Sequence, residues 1–341
     1  MSETRRPGVS RRVVLGSMSA LPLVAIHTRP ANAAEFSFKL ATGQSLTQPI
    51  NARLGEACKR IQEATGGRVE IKFFPASQLG SDTDLLTQVR TGGVEFLNIA
   101  ASVISTVAAP VGITNVGFAF KDYGQVWPAI DGPLGKVVRS TVEKAGMVIV
   151  SRAGDNSFRK ITSSSKPILS PADLDGYRIR VPVSPIFTSL FKALGAMPTS
   201  INFNELYSAL QTRLVDGQEN GLVAIDSGKL YEVQKFVSET NHIWDPFWLL
   251  GNRRAFGSLP DDLKTVVVRE FDRANLEQRE DVAKLEGTLQ AKLVASGLTF
   301  HPVDRAPFKA ALAKSGYYKE WREKFGADNW KVLEDVTGGL G

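Results

Sequence analysis

The 341-residue sequence contains a single cysteine, Cys58, and three histidines. One thiol cannot form an intrachain disulfide, and a zinc ribbon or a CxxC redox site needs at least a second cysteine. His27 lies in the N-terminal segment, and His242 and His301 lack the spacing of metal ligands. We therefore expect no metal site and no redox centre. His242, which follows Asn241, is predicted to be a structural hydrogen-bonding residue.

The sequence also lacks the local motifs of the common enzyme classes. It has no G-x-S-x-G nucleophile elbow, no G-x-x-x-x-G-K-[ST] phosphate loop and no G-x-G-x-x-G dinucleotide fingerprint. The segment 132–136 is a poor phosphate loop, because Val137 stands where Ser or Thr is required. We expect no catalytic residue and no cofactor. An enzyme is kept as an alternative, since a catalytic triad needs no local signature.

The N-terminal segment predicts export from the cytoplasm. A basic region with the pair Arg11-Arg12 is followed by an apolar stretch as far as Ile26 and by small residues at 31–34. The paired arginines are typical of twin-arginine export, although Val14 departs from the usual phenylalanine, so the general route stays open. The apolar stretch is too short and too interrupted for a membrane span. We predict a signal peptide over residues 1–34 and a periplasmic mature protein.

The charge of the chain does not favour a nucleic-acid partner. The formal net charge is +6. Residues 1–33 hold five arginines and one glutamate, a net of about +4 (5 − 1), which leaves about +2 (6 − 4) for the rest. No basic run with interleaved aromatic residues is present. We therefore expect no nucleic-acid partner.

After the N-terminal segment, strands alternate with helices. Alternating apolar residues predict a strand over 36–40, and further strands are predicted over 68–73 and, mostly buried, over 95–100, with helical spacing between them. Asp82 is predicted to cap the helix that ends at Thr91. This alternation favours an α/β protein of two lobes with mainly parallel sheets.

A long helix is predicted from Pro260 to about Ala295, where Gly287 is the one interior glycine. At 1.5 Å per residue this helix would extend about 50 Å, which exceeds the size of one small lobe. We therefore expect it to bridge both lobes. The alternative is two helices broken near Gly287, because an interior glycine is unfavourable.

The strand Tyr177–Val181 carries two arginines, Arg178 and Arg180, on one face. Pro182 ends the strand, because proline cannot donate a hydrogen bond to the sheet. A guanidinium at such a position can hold a carboxylate through two parallel hydrogen bonds. Charged side chains are more often simply exposed, so the pattern alone leaves both interpretations open.

Longer segments around this strand resemble a known family. Residues 173–182 read DLDGYRIRVP, residues 215–220 read VDGQEN and residues 231–236 read YEVQKF. Upstream, PASQLG at 75–80 fits the same pattern. These segments span the mature chain and resemble the dicarboxylate-binding (DctP) solute-binding proteins of tripartite ATP-independent periplasmic (TRAP) transporters.

The resemblance implies a two-lobed periplasmic binding protein fold, with hinge crossovers and a long helix across the back. Lobe I is expected at residues 35–156 plus 246–285, and lobe II at residues 157–245 plus 286–341. The resemblance also implies a monomeric, non-enzymatic receptor. Such a receptor captures a small organic acid and delivers it to membrane permease subunits.

The resemblance further implies a set of ligand-binding residues. Arg180 would hold the substrate carboxylate, and Arg159 would add a second basic contact. Asn220 would donate or accept a hydrogen bond, and Phe203 would pack against the ligand. Three further positions would supply a polar contact and the far wall of the pocket: Asp82, Trp244 and Phe247.

The far end of the ligand is predicted from departures within the resemblance. The sialic-acid type has a glutamate at the position of Ala101, so that ligand is not expected. Phe247 and Trp248 make the wall more apolar than a second carboxylate would need. We expect a monocarboxylate, either a hydroxy acid, a sugar acid, a keto acid or an aromatic acid. The alternatives are a secreted enzyme with Glu219 as base, and a ligand-binding partner of a signalling receptor.

Overall fold

The computed structural model describes residues 34–340 together with Ser2. The predicted signal peptide therefore lies outside the described residues, except for Ser2 and Ala34. Within this described part, no helix is both long enough and apolar enough to cross a membrane.

Strands from residue 36 to residue 302 form two six-stranded sheets. In chain order they are β1 Phe36–Thr42, β2 Val69–Phe74, β3 Phe96–Ala100, β4 Met147–Ile149, β5 Gly154–Phe158, β6 Lys160–Ser163, β7 Arg178–Val181, β8 Met197–Ser200, β9 Gly217–Asn220, β10 Phe236–Glu239, β11 Trp244–Asn252 and β12 Thr299–Pro302. The first sheet has the order β2-β1-β3-β11-β4, with β5 also paired to β11. The second sheet has the order β12-β10-β6-β9-β7-β8. The predicted α/β class with two lobes is confirmed.

Helices cover both sheets. They are α1 Pro49–Ala64, α2 Asp82–Thr91, α3 Ala101–Ile104, α4 Tyr123–Ile130, α5 Pro133–Lys144, α6 Pro185–Ala193, α7 Phe203–Gln211, α8 Leu222–Ser227, α9 Arg253–Gly257, α10 Asp261–Ala295, α11 Ala306–Ser315, α12 Tyr317–Phe325 and α13 Ala327–Thr337. Short 3-10 helices lie at Ala109–Asn115, Pro171–Leu174 and Leu230–Glu232.

The sheets are mixed, and the prediction of mainly parallel sheets was wrong. β1 is parallel to β2 and β3, but β11 is antiparallel to β3, β4 and β5, and β6 is antiparallel to β9 and β10. The chain passes directly from β5 to β6 and from β10 to β11. A strand that arrives from the other sheet without a returning helix enters at the opposite end, so it runs antiparallel to its neighbours.

The start of α2 corrects a second prediction. Ser81, and not Asp82, is the N-cap: its hydroxyl accepts from the Asp84 backbone N–H, and the Asp84 side chain accepts from the Ser81 backbone N–H. Asp82 is the first helical residue, and its side chain is buried. This reciprocal pair satisfies two N–H groups at the helix start, so Asp82 is not needed as a cap.

Helix α10 is continuous, which confirms the single-helix prediction over the broken alternative. Its first half buries Leu263 and Phe271 in the core between the first sheet and α1. Its second half buries Val282, Leu289 and Leu293 in the core of the second sheet. The 35 residues extend about 50 Å and so contribute to both cores.

The C-terminal helices α11 and α13 pack against helices on both sheets. Helix α11 packs against α6, while α13 packs against α4 and α5. The final segment, which we predicted in lobe II, therefore also touches helices that lie within residues 35–156.

We predict that Gly287→Ala stabilises the protein by about 0.5–1 kcal/mol, because alanine loses less conformational entropy in a helix interior. Gly287 is exposed, and a Cβ there meets no atom within 4 Å. Urea unfolding would measure the change. Gly135→Ala in α5 is the contrasting variant, since its Cβ would collide with the Ile130 carbonyl oxygen. Equal or lower stability of Gly287→Ala would contradict the prediction.

Candidate functional site

The two arginines of β7 have opposite environments. Arg178 is 48% exposed at its side chain and pairs with Asp216, with Nη2 2.6 Å from Oδ1. Arg180 is only 2% exposed. Its Nε and Nη2 both donate to the Ile201 carbonyl oxygen, at 2.9 and 2.7 Å. The exposed interpretation thus applies to Arg178 and not to Arg180.

The buried Arg180 guanidinium has no carboxylate partner among residues 34–340. Its Nη1 donates to no residue in that range. Burial lowers the pKa of Arg180 to about 10, while the nearby Glu219 and Asp82 charges act in the opposite direction. A buried cation without a paired anion is unfavourable, so this position favours the binding of an anionic group.

Arg159 lies between β5 and β6, where the chain passes from one sheet to the other. Its Nε and Nη2 donate hydrogen bonds to the two carboxylate oxygens of Glu219. Nη2 also donates to the Glu219 carbonyl oxygen at 2.7 Å. Its Nη1 lies 3.7 Å from Asp245 Oδ2. The fork of Arg159 is therefore occupied by protein carboxylates. Its direct contact with a ligand stays a prediction.

Glu219 and His242 complete this buried network. Burial alone would raise the pKa of Glu219, but Arg159 and the hydrogen bond from His242 outweigh it and hold that pKa below its ordinary value. Burial lowers the pKa of His242, which favours a neutral ring. Its Nε2 then donates to Glu219 at 3.1 Å, and its Nδ1 accepts from the Thr240 hydroxyl at 2.7 Å. The structural role predicted for His242 is confirmed.

Asp82 approaches Arg180 from the elements of the first sheet. Its Oδ1 is buried and has no hydrogen-bond partner among the described residues. Burial raises the pKa of Asp82 to about 6, partly opposed by the Arg180 charge and the Phe203 backbone N–H. Gly43 packs closely beside it, and a Cβ on Gly43 would lie 2.1 Å from Oδ1, so a larger residue there would displace the Asp82 carboxyl group. A hydrogen bond of 3.2 Å from Asn202 Nδ2 to Thr83 Oγ1 joins the neighbouring segments.

Asn220 lies at the end of a strand of the second sheet, and Phe203 lies at the start of a helix. Asn220 ends β9 and is buried, with Nδ2 donating to Gln218 Oε1 at 2.6 Å. Phe203 begins α7 and lines a cavity of about 270 Å³ together with Gly43 and Ser77. The structure therefore brings Phe203 close to Gly43, which packs against Asp82.

The predicted far-wall aromatics are engaged in core packing. The Trp244 Nε1 donates to Asp155 at 2.9 Å, and its ring meets Trp127 edge-on at 5.3 Å. Phe247 has no exposed surface and packs in the same core as Phe38, beneath α1 and α10. In this structure both side chains support β11, and their contact with a ligand stays a prediction.

Sequence reasoning missed several groups of the site. The Ile201 carbonyl that holds Arg180 carries no sequence signal, because every residue has a carbonyl. Asp245 was also missed: it accepts from the Ser102 hydroxyl at 2.8 Å and from Asn115 Nδ2 at 2.9 Å. Only folding brings these residues together. Within residues 34–340, no group of three or more His, Cys, Asp or Glu side chains suits a metal ion.

Comparison with known proteins identifies relatives over most of the chain. The family model described as bacterial extracellular solute-binding protein, family 7 (DctP), matches residues 40–324. An uncharacterized protein, y4mM of Sinorhizobium fredii, is 32% identical over 91% of this chain, which spans 58% of that relative's length.

Among the solved structures that share the fold, two are each described as a TRAP periplasmic solute-binding protein. One, from Roseobacter denitrificans with bound β-D-glucuronate, has a TM-score of 0.84, with 28% identity over 88% of this chain and 99% of its own. The other, from Sulfurospirillum deleyianum with bound succinate, has a TM-score of 0.83, with 28% identity over 89% of this chain and 99% of its own.

We predict that Asp82→Asn becomes progressively more stable, relative to the unmodified protein, as the pH rises from about 4 to about 7. A carboxyl whose folded pKa is raised from 3.8 to about 6 stabilises the fold below its unfolded pKa and loses that contribution as the pH rises. The full difference would be about 3 kcal/mol at most. Urea unfolding across this pH range would measure it, with the exposed Asp328→Asn as control. A difference that stays constant with pH would refute the assigned shift.

Proposed function

Since this chain belongs to family 7 of the bacterial extracellular solute-binding proteins, the DctP family, we propose that it captures a small hydroxy acid and delivers it to the permease of a TRAP transporter. The protein is a solute-binding transport protein and not an enzyme. The observation that carries the proposed chemistry is the buried Arg180 guanidinium, which lacks a carboxylate partner within residues 34–340.

Arg180 is the proposed anchor for the ligand carboxylate. Two of its nitrogens donate to one neutral carbonyl, on Ile201, which fixes the guanidinium plane without neutralising its charge. Nη1 and the second N–H of Nη2 then remain for a carboxylate. Charge-assisted hydrogen bonds of this kind are strong when water is excluded.

Arg159 is proposed to act on the ligand by keeping Glu219 away from Arg180. Glu219 accepts hydrogen bonds from Arg159 and His242, so its carboxylate pairs with the Arg159 guanidinium and not with that of Arg180. This arrangement also argues against the enzyme alternative. Glu219 is completely buried and its carboxylate is committed to these two partners, so it is not placed to accept a proton from a substrate.

The Asp82 carboxyl group supports a hydroxy acid as the ligand. We propose that its buried Oδ1, which has no hydrogen-bond partner among residues 34–340, accepts a hydrogen bond from a ligand hydroxyl near the carboxylate that Arg180 holds. A second ligand carboxylate at that point would face the negative charge of Asp82, which is unfavourable. Asn220 would supply a further polar contact and Phe203 an apolar one, with Trp244 and Phe247 behind the wall.

Contacts between the segments of the two sheets support a cleft that closes over the ligand. Besides the bond between Asn202 and Thr83, the hydroxyls of Ser105 and Ser184 lie 3.3 Å apart. Closure between two lobes excludes water and completes a binding site from both sides. We propose residues 35–156 plus 246–285 as lobe I and residues 157–245 plus 286–341 as lobe II.

The proposed site of action is the periplasm. The solved relatives are periplasmic proteins, and the N-terminal twin-arginine pattern suits export. We propose that the mature chain works there as a monomer and meets the membrane permease subunits after it has bound its ligand.

Replacing Arg180 with lysine should weaken ligand binding by about a hundredfold or more, because a point charge cannot reproduce the two-bond geometry. Titration calorimetry with D-glucuronate and D-galactonate would measure the loss. Arg178→Lys on the same strand is the matched control and should bind normally, since Arg178 pairs with Asp216 at the surface. Undiminished affinity of folded Arg180→Lys for a ligand of the unmodified protein would refute the assignment.

Hydroxy monocarboxylates should raise the melting temperature more than succinate does. A ligand that binds only the folded state stabilises it in proportion to the logarithm of its concentration over its Kd. A thermal-shift series would compare sugar acids, short hydroxy acids, keto acids and succinate. In the Asp82→Asn variant, the shift with succinate should come closer to the shift with hydroxy monocarboxylates, because the opposing negative charge is removed. A larger shift with succinate in the unmodified protein would contradict the hydroxy-acid assignment.

A further inference from the structure

We propose that Arg90, Arg253 and Arg254 form a second site, remote from Arg180, that binds a phosphate-bearing anion. The three side chains line one cavity of about 750 Å³. The other residues that line it are Thr91, Gly92, Gly146, Asn252, Ala255 and Ser258.

This cavity lies at the end of the first sheet that is opposite the proposed ligand site. Helix α2 begins with Asp82 near Arg180 and reaches the cavity at Arg90 and Thr91. Its 10 residues extend about 15 Å. Strand β11 runs in the same direction and ends in the cavity at Asn252. An anion here would therefore make no contact with Arg180.

The charge around the cavity has one sign. No aspartate or glutamate lines it, and none of the three arginines forms an ion pair with a residue from 34 to 340. Arg253 donates from Nη2 to the Glu143 carbonyl oxygen at the end of α5. The side chains of Arg90 and Arg254 donate to no residue in the described part of the chain. Two guanidinium groups are therefore available to a ligand.

The remaining polar groups of the cavity already have partners. Asn252 Oδ1 accepts from the backbone N–H groups of Arg254 and Ala255, and its Nδ2 donates to the Val89 carbonyl oxygen at 2.8 Å. The Thr91 and Ser258 hydroxyls donate to carbonyl oxygens of their own helices. The free hydrogen-bonding capacity of the cavity thus belongs to the arginines, which only donate.

The carbonyl ends of α2 and α5 oppose an anion, because the C-terminus of a helix carries partial negative charge. At α2 this effect is reduced. The Gln88 carbonyl accepts from the Gly92 and Gly93 N–H groups, and the Val89 carbonyl accepts from Asn252. The full positive charges of the arginines exceed the partial negative charge that remains at the C-termini of α2 and α5, so the net effect favours an anion.

A phosphate group suits this donor set better than a single carboxylate does. It presents several acceptor oxygens and up to two negative charges, and a planar guanidinium binds two of its oxygens at once. The phosphate could belong to a soluble molecule or to the headgroup of an anionic phospholipid. Both sources present the same chemistry to the arginines, and the experiment separates them.

The test compares two double variants of the mature chain that remove the same charge. Arg90→Ser with Arg254→Ser removes the free guanidinium groups of the cavity. Arg213→Ser with Arg322→Ser removes two exposed arginines elsewhere that form no ion pair with a described residue. Pyrophosphate titration by calorimetry probes a soluble source. Co-sedimentation with phosphatidylglycerol vesicles, with phosphatidylcholine vesicles as reference, probes a headgroup.

We call the effective probe whichever of pyrophosphate or phosphatidylglycerol vesicles binds the unmodified protein. At low ionic strength, the variant with Arg90→Ser and Arg254→Ser should bind this probe at least about tenfold more weakly than the control variant. Pyrophosphate binding would assign the site to soluble phosphates, and vesicle binding alone would assign it to a lipid headgroup. An unmodified protein that binds neither probe, or an equal loss in the two double variants, would overturn the proposal. Arg180→Ala should retain binding of the effective probe, so failure of the solute-binding proposal would be recognised separately.

Discussion

The structure of the candidate site depends on one constraint: the Arg180 guanidinium is buried and has no carboxylate partner among residues 34–340. Removing a cation from water is costly, and a neutral carbonyl on Ile201 offsets only part of that cost. The fold tolerates this because β7 is fixed by its neighbours β8 and β9, and Pro182 ends it directly after Val181. We propose that this unbalanced charge holds the carboxylate of the ligand.

The neighbouring network explains why this charge is not neutralised from within. Glu219 is close enough to Arg180 to influence its pKa, yet both Glu219 oxygens are held by Arg159. His242 and Thr240 continue the chain of hydrogen bonds and fix the carboxylate. A fully partnered buried network is rigid, so Glu219 cannot turn toward Arg180 without losing its hydrogen bonds with Arg159 and His242.

The same elements connect this site to the whole molecule. Arg159 occupies the single position between β5 and β6, where the chain crosses between the sheets. Helix α10 contributes apolar side chains to the cores of both sheets, and it therefore connects the two sheets. Helix α2 presents Asp82 at one end and Arg90 at the other, so one rigid element contributes to both proposed binding sites.

Local patterns in the sequence predicted the strands near residues 36–40, 68–73, 95–100 and 177–181. Helical spacing located α10 and predicted it as one helix, and the segment around Arg180 indicated the family. The mixed direction of the sheets was predicted wrongly, because strand direction depends on which sheet the chain comes from. The capping role assigned to Asp82 was also wrong, because Ser81 and Asp84 satisfy the helix start.

The sequence by itself determined where strands, helices and turns form, since these follow from the periodicity and chemistry of neighbouring residues. The resemblance singled out Arg180, but the local pattern did not, because both β7 arginines lie on the same face of one strand; the tertiary structure decided that Arg180 is buried and Arg178 exposed. It also decided that Arg159 pairs with Glu219, which is 60 residues away. Burial and pairing are properties of residues distant in the chain, and no local pattern records them.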